Sequence, residues 1–140
     1  MQGRSGNGID HTTAVGWLTE ALNDLGSHAQ QYGVPLIYEP LNRYETNMCN
    51  TVATGVQILQ SLSNDNVRLL ADLFHMNIEE TDIASALRSA GPLVGHIHFA
   101  DSNRQAIGFG HTIIPPVIEA LRSIGYTGYL SAEVLSRPDS

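Results

Sequence analysis

Four short apolar runs, helical periodicity between them, and a polar residue near the close of each run predict an α/β fold with a parallel sheet. The runs are "PLIYE" (35–39), "VRLLAD" (67–72), "VGHIHF" (94–99) and "YLSAEVL" (129–135). They do not alternate cleanly between apolar and polar, as expected for strands covered on both faces. Regular alternation of strand and helix implies right-handed crossovers between parallel neighbours.

The elements follow in order. The opening "MQGRSGNGID" is glycine-rich and reads as a loop, not as an apolar leader. Val15, Leu18, Leu22, Leu25 and Ala29 then recur at helical spacing, with a stop at Gly33. The first strand run follows. Val52, Val56, Leu59 and Leu62 repeat the helical pattern before the second run. "NIEETDIASALRSAG" offers Asn77 as an N-cap, with Glu80 three residues on, for a helix ending near Gly91. After the third run, Pro115 and Pro116 open a helix through Val117, Ile118, Leu121 and Ile124, closed by Gly125. No linker-like or low-complexity segment divides residues 1–140, so a single domain is expected.

Composition narrows the function. The chain is 42% apolar and 15% charged, which suits a packed core. Its 14 acids against 7 Lys+Arg give a net charge of −7, so no basic track for nucleic acid is expected. No apolar run approaches the ~18 residues of a membrane span. The single cysteine, Cys49, cannot pair within the chain, which fits a reducing, cytoplasmic setting.

The strand ends carry the chemistry. Glu39, Asp72, His98 and Glu133 stand at or near the carboxyl ends of the four runs, separated by about 26 to 35 residues, close to one βα unit of a barrel of about 250 residues. A parallel sheet brings all four to the face where α/β enzymes place their chemistry. Three carboxylates crowded there would repel one another, and a divalent cation removes that conflict. An O₃N donor set suits Mn²⁺, with Mg²⁺, Co²⁺ or Zn²⁺ as alternatives. Other residues have plainer readings. His96 is expected to face away from His98 as a core histidine, His28 to be exposed, Cys49 to be a buried filler, and "GFGH" (108–111) to be a turn.

The segments "YEPLNRYETN" (38–47), "LLADLFHMNIEE" (69–80), "GHIHFADSNRQAIGFGH" (95–111) and "YLSAEVL" resemble the sugar-phosphate isomerase/epimerase superfamily of xylose isomerase-like barrels. Within it the ketose 3-epimerases of the tagatose/psicose type and the hydroxypyruvate isomerases are most similar. The resemblance implies the C-terminal half of a (β/α)₈ TIM barrel, with about four to five parallel strands corresponding to barrel strands five to eight and "MQGR" at the tail of strand four. It implies Glu39, Asp72, His98 and Glu133 as metal ligands, Glu39 and Glu133 as an acid/base pair, and Glu45, His75 and Arg104 as substrate contacts. The other half of the barrel is expected in the rest of a longer polypeptide or, failing that, from a second copy in a homodimer.

The implied chemistry is proton transfer beside a carbonyl through a metal-stabilised enediolate, on a sugar or sugar phosphate. Epimerase and aldose–ketose isomerase share that intermediate, and the residues do not separate them. A metal-dependent dehydratase of cyclic polyols, of the inosose dehydratase type, and an inactive metal-binding half-barrel remain as alternatives. A phosphodiesterase of the endonuclease type needs more histidine ligands and a basic track.

Overall fold

The computed structural model describes residues 3–135, and four parallel strands form one sheet in the order β1–β2–β3–β4. The elements are α1 (His11–Gln30), β1 (Leu36–Tyr38), α2 (Val52–Gln60), β2 (Val67–Asp72), α3 (Leu73–Glu79), α4 (Ile83–Ala90), β3 (Val94–His98), α5 (Ile114–Ser123) and β4 (Leu130–Ser131). A short 3₁₀ turn, Gly91–Leu93, joins α4 to β3. Among the described residues no helix is long and apolar enough to cross a membrane.

The core lies on the helix side of the sheet. Val67, Leu69 and Ala71 of β2 and Val94 and Ile97 of β3 are buried there. They pack with Val52, Ile58 and Leu59 of α2, Ala84, Leu87 and Ala90 of α4, and Val117, Ala120 and Leu121 of α5. On α1, Ala14, Leu22 and Gly26 are buried, whereas Leu25 is exposed despite its helical spacing with Leu18 and Leu22.

Several expectations are corrected in detail. The outer strands are shorter than their apolar runs: β1 stops before Glu39 and Pro40, and β4 is two residues long. Proline has no N–H to extend a ladder, and β4 pairs only with β3 among the described residues. Asn77 is not a helix cap. It lies inside α3, which Asp72 caps, and the next helix starts at Asp82, whose carboxylate accepts the Ser85 N–H at 2.5 Å. Gly3 and Arg4 are in no strand; Arg4 donates to the carbonyls of Arg43 and Tyr44 in the loop after β1. Met1 and Gln2 of "MQGR" lie outside the described residues.

The register decides which side chains share the site face. Leu69 pairs with Val94, but Leu70 pairs with His96, so Gly95 is the extra residue of a bulge. A Cβ at Gly95 would overlap Arg68 Cβ and come within 3.2 Å of Ile37 Cδ1. Beyond the bulge, Asp72 lies opposite His98.

Candidate metal centre

Asp72 serves two purposes at once. Its Oδ1 accepts the N–H groups of Phe74 (2.7 Å) and His75 (3.3 Å), capping α3. Its Oδ2 is left to face His98 Nδ1 at 3.1 Å. The same Nδ1 stands 3.7 Å from Glu39 Oε1 and 3.5 Å from Glu133 Oε2. Glu39 follows β1, Asp72 ends β2, His98 ends β3 and Glu133 lies two residues past β4. Donor atoms of these four all fall within 4.8 Å of one another.

That spacing fits a single ion. Donors at about 2.1 Å from a common centre and roughly 90–120° apart are separated by about 3.0–3.6 Å. The His98 contacts, 3.1 to 3.7 Å, lie within or just beyond that interval, and three carboxylates with one imidazole supply oxygen and nitrogen to a hard or borderline dication. Exposure grades across the set: the Asp72 side chain is fully buried, that of Glu39 is 26% exposed and that of Glu133 49%.

The two glutamates differ in acidity. Burial, then the charges of Asp72 and Glu133, push the Glu39 carboxyl up to about 7. The Arg104 hydrogen bond holds Glu133 below the usual carboxylate range. Arg104 also stands 3.7 Å from Glu45 Oε1 and over the Phe74 ring at 5.0 Å. Its backbone is left-handed, φ 57°, which a long side chain seldom adopts. Its N–H donates to the Asp101 carbonyl and its own carbonyl accepts from Leu135.

His75 lies beneath the cluster. Burial lowers its pKa below the ordinary imidazole value, against the pull of Asp72 and Glu45. Its Nε2 is 3.8 Å from Glu39 Oε1 and its Nδ1 is 3.9 Å from Glu45 Oε1. All seven residues singled out in the sequence therefore meet at one end of the sheet.

One expectation fails on strand geometry. His96 does not face away from His98: residues two apart on a strand share a face, and the two rings meet edge-on with centroids 5.5 Å apart. His96 Nε2 contacts Ser131 Oγ at 2.7 Å. Conversely Cys49 is fully buried, as expected of a filler, and burial pushes its thiol up to about 11. His28 is exposed as expected.

Asp101 and Asn42 are buried polar residues that the strand-end pattern does not reveal. Asp101 organises the loop that carries Arg104. Its carboxylate accepts N–H groups from Ser102 (2.7 Å), Gly108 (2.8 Å) and Thr112 (3.0 Å). Burial alone would raise the Asp101 carboxyl, but these N–H groups and that of Gly110 hold it well below the usual range. The "GFGH" turn thus wraps the chain's own anion. A Cβ at Gly110 would overlap Asp101 Oδ1. The sequence signal was an acid directly before a run of turn formers, "DSNRQAIGFG".

Comparison with known proteins agrees with the fold. Residues 1–140 match the family described as xylose isomerase-like TIM barrel. A D-psicose 3-epimerase of Agrobacterium fabrum is 41% identical over 114 residues, 81% of this chain and 39% of the relative. A crystal structure of D-psicose 3-epimerase with D-tagatose from Clostridium cellulolyticum H10 superposes with TM-score 0.89 at 35% identity, over 94% of this chain and 45% of that one. A 3-keto-D-glucoside 4-epimerase from E. coli gives TM-score 0.90 at 31% identity, over 96% of this chain and 51% of that one. The chain therefore spans about half, or less, of the length of these relatives.

Proposed function

The chain belongs to the xylose isomerase-like TIM barrel family, and from that premise we propose that it is the metal- and base-bearing part of a ketose epimerase. The observation that carries the reading is the placement of Glu39 and Glu133. They follow the two outermost strands, with Asp72 and His98 between them, and their surroundings pull their acidities apart.

Glu39, Asp72, His98 and Glu133 would hold the dication, with Mn²⁺ favoured. When bound, it supplies Lewis-acid stabilisation of the charge that develops as a proton leaves the carbon beside a carbonyl. Glu133, kept ionised by Arg104, takes that proton from carbon 3. Glu39 stands on the other side of that carbon, from which a returned proton inverts the centre. In the reverse direction the two exchange roles. His75 and Arg104 hold substrate oxygens, and Glu45 accepts from a hydroxyl at the mouth. Among the described residues, Arg104 is the guanidinium within ion-pair distance of this cluster, and Glu133 already engages it. That favours an uncharged ketose over a phosphate ester. The names of the relatives support epimerisation over isomerisation.

The test uses the chain alone and co-expressed with the N-terminal half of the Agrobacterium fabrum relative, with Mn²⁺ and D-psicose in D₂O. The expected product is the C3 epimer carrying deuterium at carbon 3. Deuterium at carbon 2 of an aldose product would mark an isomerase instead. No exchange at any carbon in the co-expressed barrel would reject the proposal.

A further inference from the structure

We propose that Asn42 is a positioning residue that locks His75 as the Nε2–H tautomer, so that the site presents a neutral hydrogen-bond donor beside Glu39. The inference deepens the epimerase reading and rests on it for the identity of the acceptor, a substrate oxygen.

The hydrogen bonds fix each step. The Tyr44 N–H donates to Asn42 Oδ1 at 3.0 Å, which orients the amide. The Asn42 NH₂ group therefore points the other way, to Glu45 Oε1 at 3.1 Å and to His75 Nδ1 at 2.8 Å. The Asn42 backbone N–H also donates to His75 Nδ1, at 3.2 Å. An imidazole nitrogen facing two donors acts as the acceptor, so the ring proton of the neutral form sits on Nε2. A proton on Nδ1 would set N–H against N–H at both contacts. Asn42 is 2% exposed and the His75 side chain equally so, which keeps water from offering Nδ1 another partner.

The other nitrogen gives the arrangement its purpose. His75 Nε2 is buried and has no hydrogen-bond partner among the described residues. A buried donor left unmade costs free energy unless something else completes it. An oxygen entering between Nε2 and the metal ligands would do so. A neutral donor held there can polarise a carbonyl or anchor a hydroxyl without giving up its proton, leaving proton transfer to the glutamates.

Asn42→Asp tests this at almost constant volume. The carboxylate reverses the polarity facing Nδ1 and should draw the proton onto it. Long-range ¹H–¹⁵N correlation spectra of the 140-residue chain read the protonated nitrogen directly, with His75 assigned from a His75→Gln variant. The wild type should show a protonated Nε2 and a bare Nδ1, and Asn42→Asp should move the proton to Nδ1. In the co-expressed barrel the same variant should lower kcat by about 10²-fold, with KM changed far less. Asn42→Ala, which keeps the backbone N–H, should retain the wild-type tautomer and lose less activity. A wild-type His75 protonated on Nδ1, or an Asn42→Asp variant with the wild-type spectrum, would overturn the assignment. A flipped tautomer with full turnover would overturn its part in the reaction. Because the spectra need neither substrate nor metal, failure of the epimerase reading leaves the tautomer measurement intact.

Discussion

At the scale of single residues, one question is how three carboxylates tolerate one another beside a histidine. Each is handled differently. Asp72 is tied by the N-terminus of α3, Glu133 by Arg104, and Glu39 by holding its proton up to about pH 7. Metal must displace that proton, so binding should strengthen as pH rises through about 7. Titration calorimetry in buffers of differing ionisation heat should find about one proton released per Mn²⁺ below that pH and fewer above it. The sign for stability is opposite. Folded Glu39 keeps a proton that the unfolded chain releases, so the metal-free chain should lose stability as pH rises from about 4.5 to about 7. Ligand and non-ligand roles also separate by substitution. Glu133→Gln should weaken both Mn²⁺ affinity and turnover, whereas His75→Ala should lower turnover by about 10²-fold with metal affinity retained. Equal loss of metal in the two variants would make His75 a ligand. The four donors were legible in the sequence because each sits at or just past the carboxyl end of a strand run, one per run. Asn42 and Asp101 were not, because their partners are backbone N–H groups and a ring nitrogen brought together only by loop geometry.

At the scale of elements, a sequence pattern and a real cap can differ by one turn. "NIEE" satisfies the capping-box spacing at Asn77, yet Asp72 and Asp82 do the capping. Asp72 was read as a ligand in preference to a cap, and its two oxygens let it be placed for both. Alternation by two puts His96 and His98 on one face, where their rings meet edge-on. Gly95 shows why the neighbouring strands still align. With no side chain it lets β3 bulge past Arg68, and the shift brings His98 opposite Asp72. Gly95→Ala should therefore cost about 1–3 kcal/mol from overpacking and weaken Mn²⁺ binding, measured by denaturant melts and calorimetry. An unchanged affinity would show that the bulge does not set the ligand register. The Asp101 loop makes a second case. Its carboxyl is held below its unfolded value, so its contribution is present above about pH 4 and lost as pH falls below that. The stability gap between wild type and Asp101→Asn should close on acidification through that range.

At the scale of the whole molecule, an open sheet must be reconciled with water. A closed barrel has no edges, but four strands do not close. Among the described residues β1 pairs only with β2 and β4 only with β3, so each leaves an outer row of N–H and C=O groups unpaired by strand. The face away from the helices carries Ile37 and Leu70, half-buried, beside the polar cluster. Ile97 is fully buried against the helices, since Ala71 is its register partner and both point to the core. The apolar surface left open is thus small, but it adjoins two strand edges. The other half of a barrel would cover both in a longer polypeptide. In the 140-residue chain by itself, a second copy related by a two-fold axis can set β1 of one beside β4 of the other, which satisfies both edges at once. Sedimentation at low micromolar concentration should therefore show self-association, and Leu70→Lys, which charges the centre of the open face, should shift the chain toward monomer with its circular dichroism unchanged. Addition of the N-terminal half-barrel of a relative should compete with self-association, because both occupy the same edges. A monodisperse monomer with a cooperative thermal transition would refute the prediction, since stable isolation requires that something within the chain already cover that face.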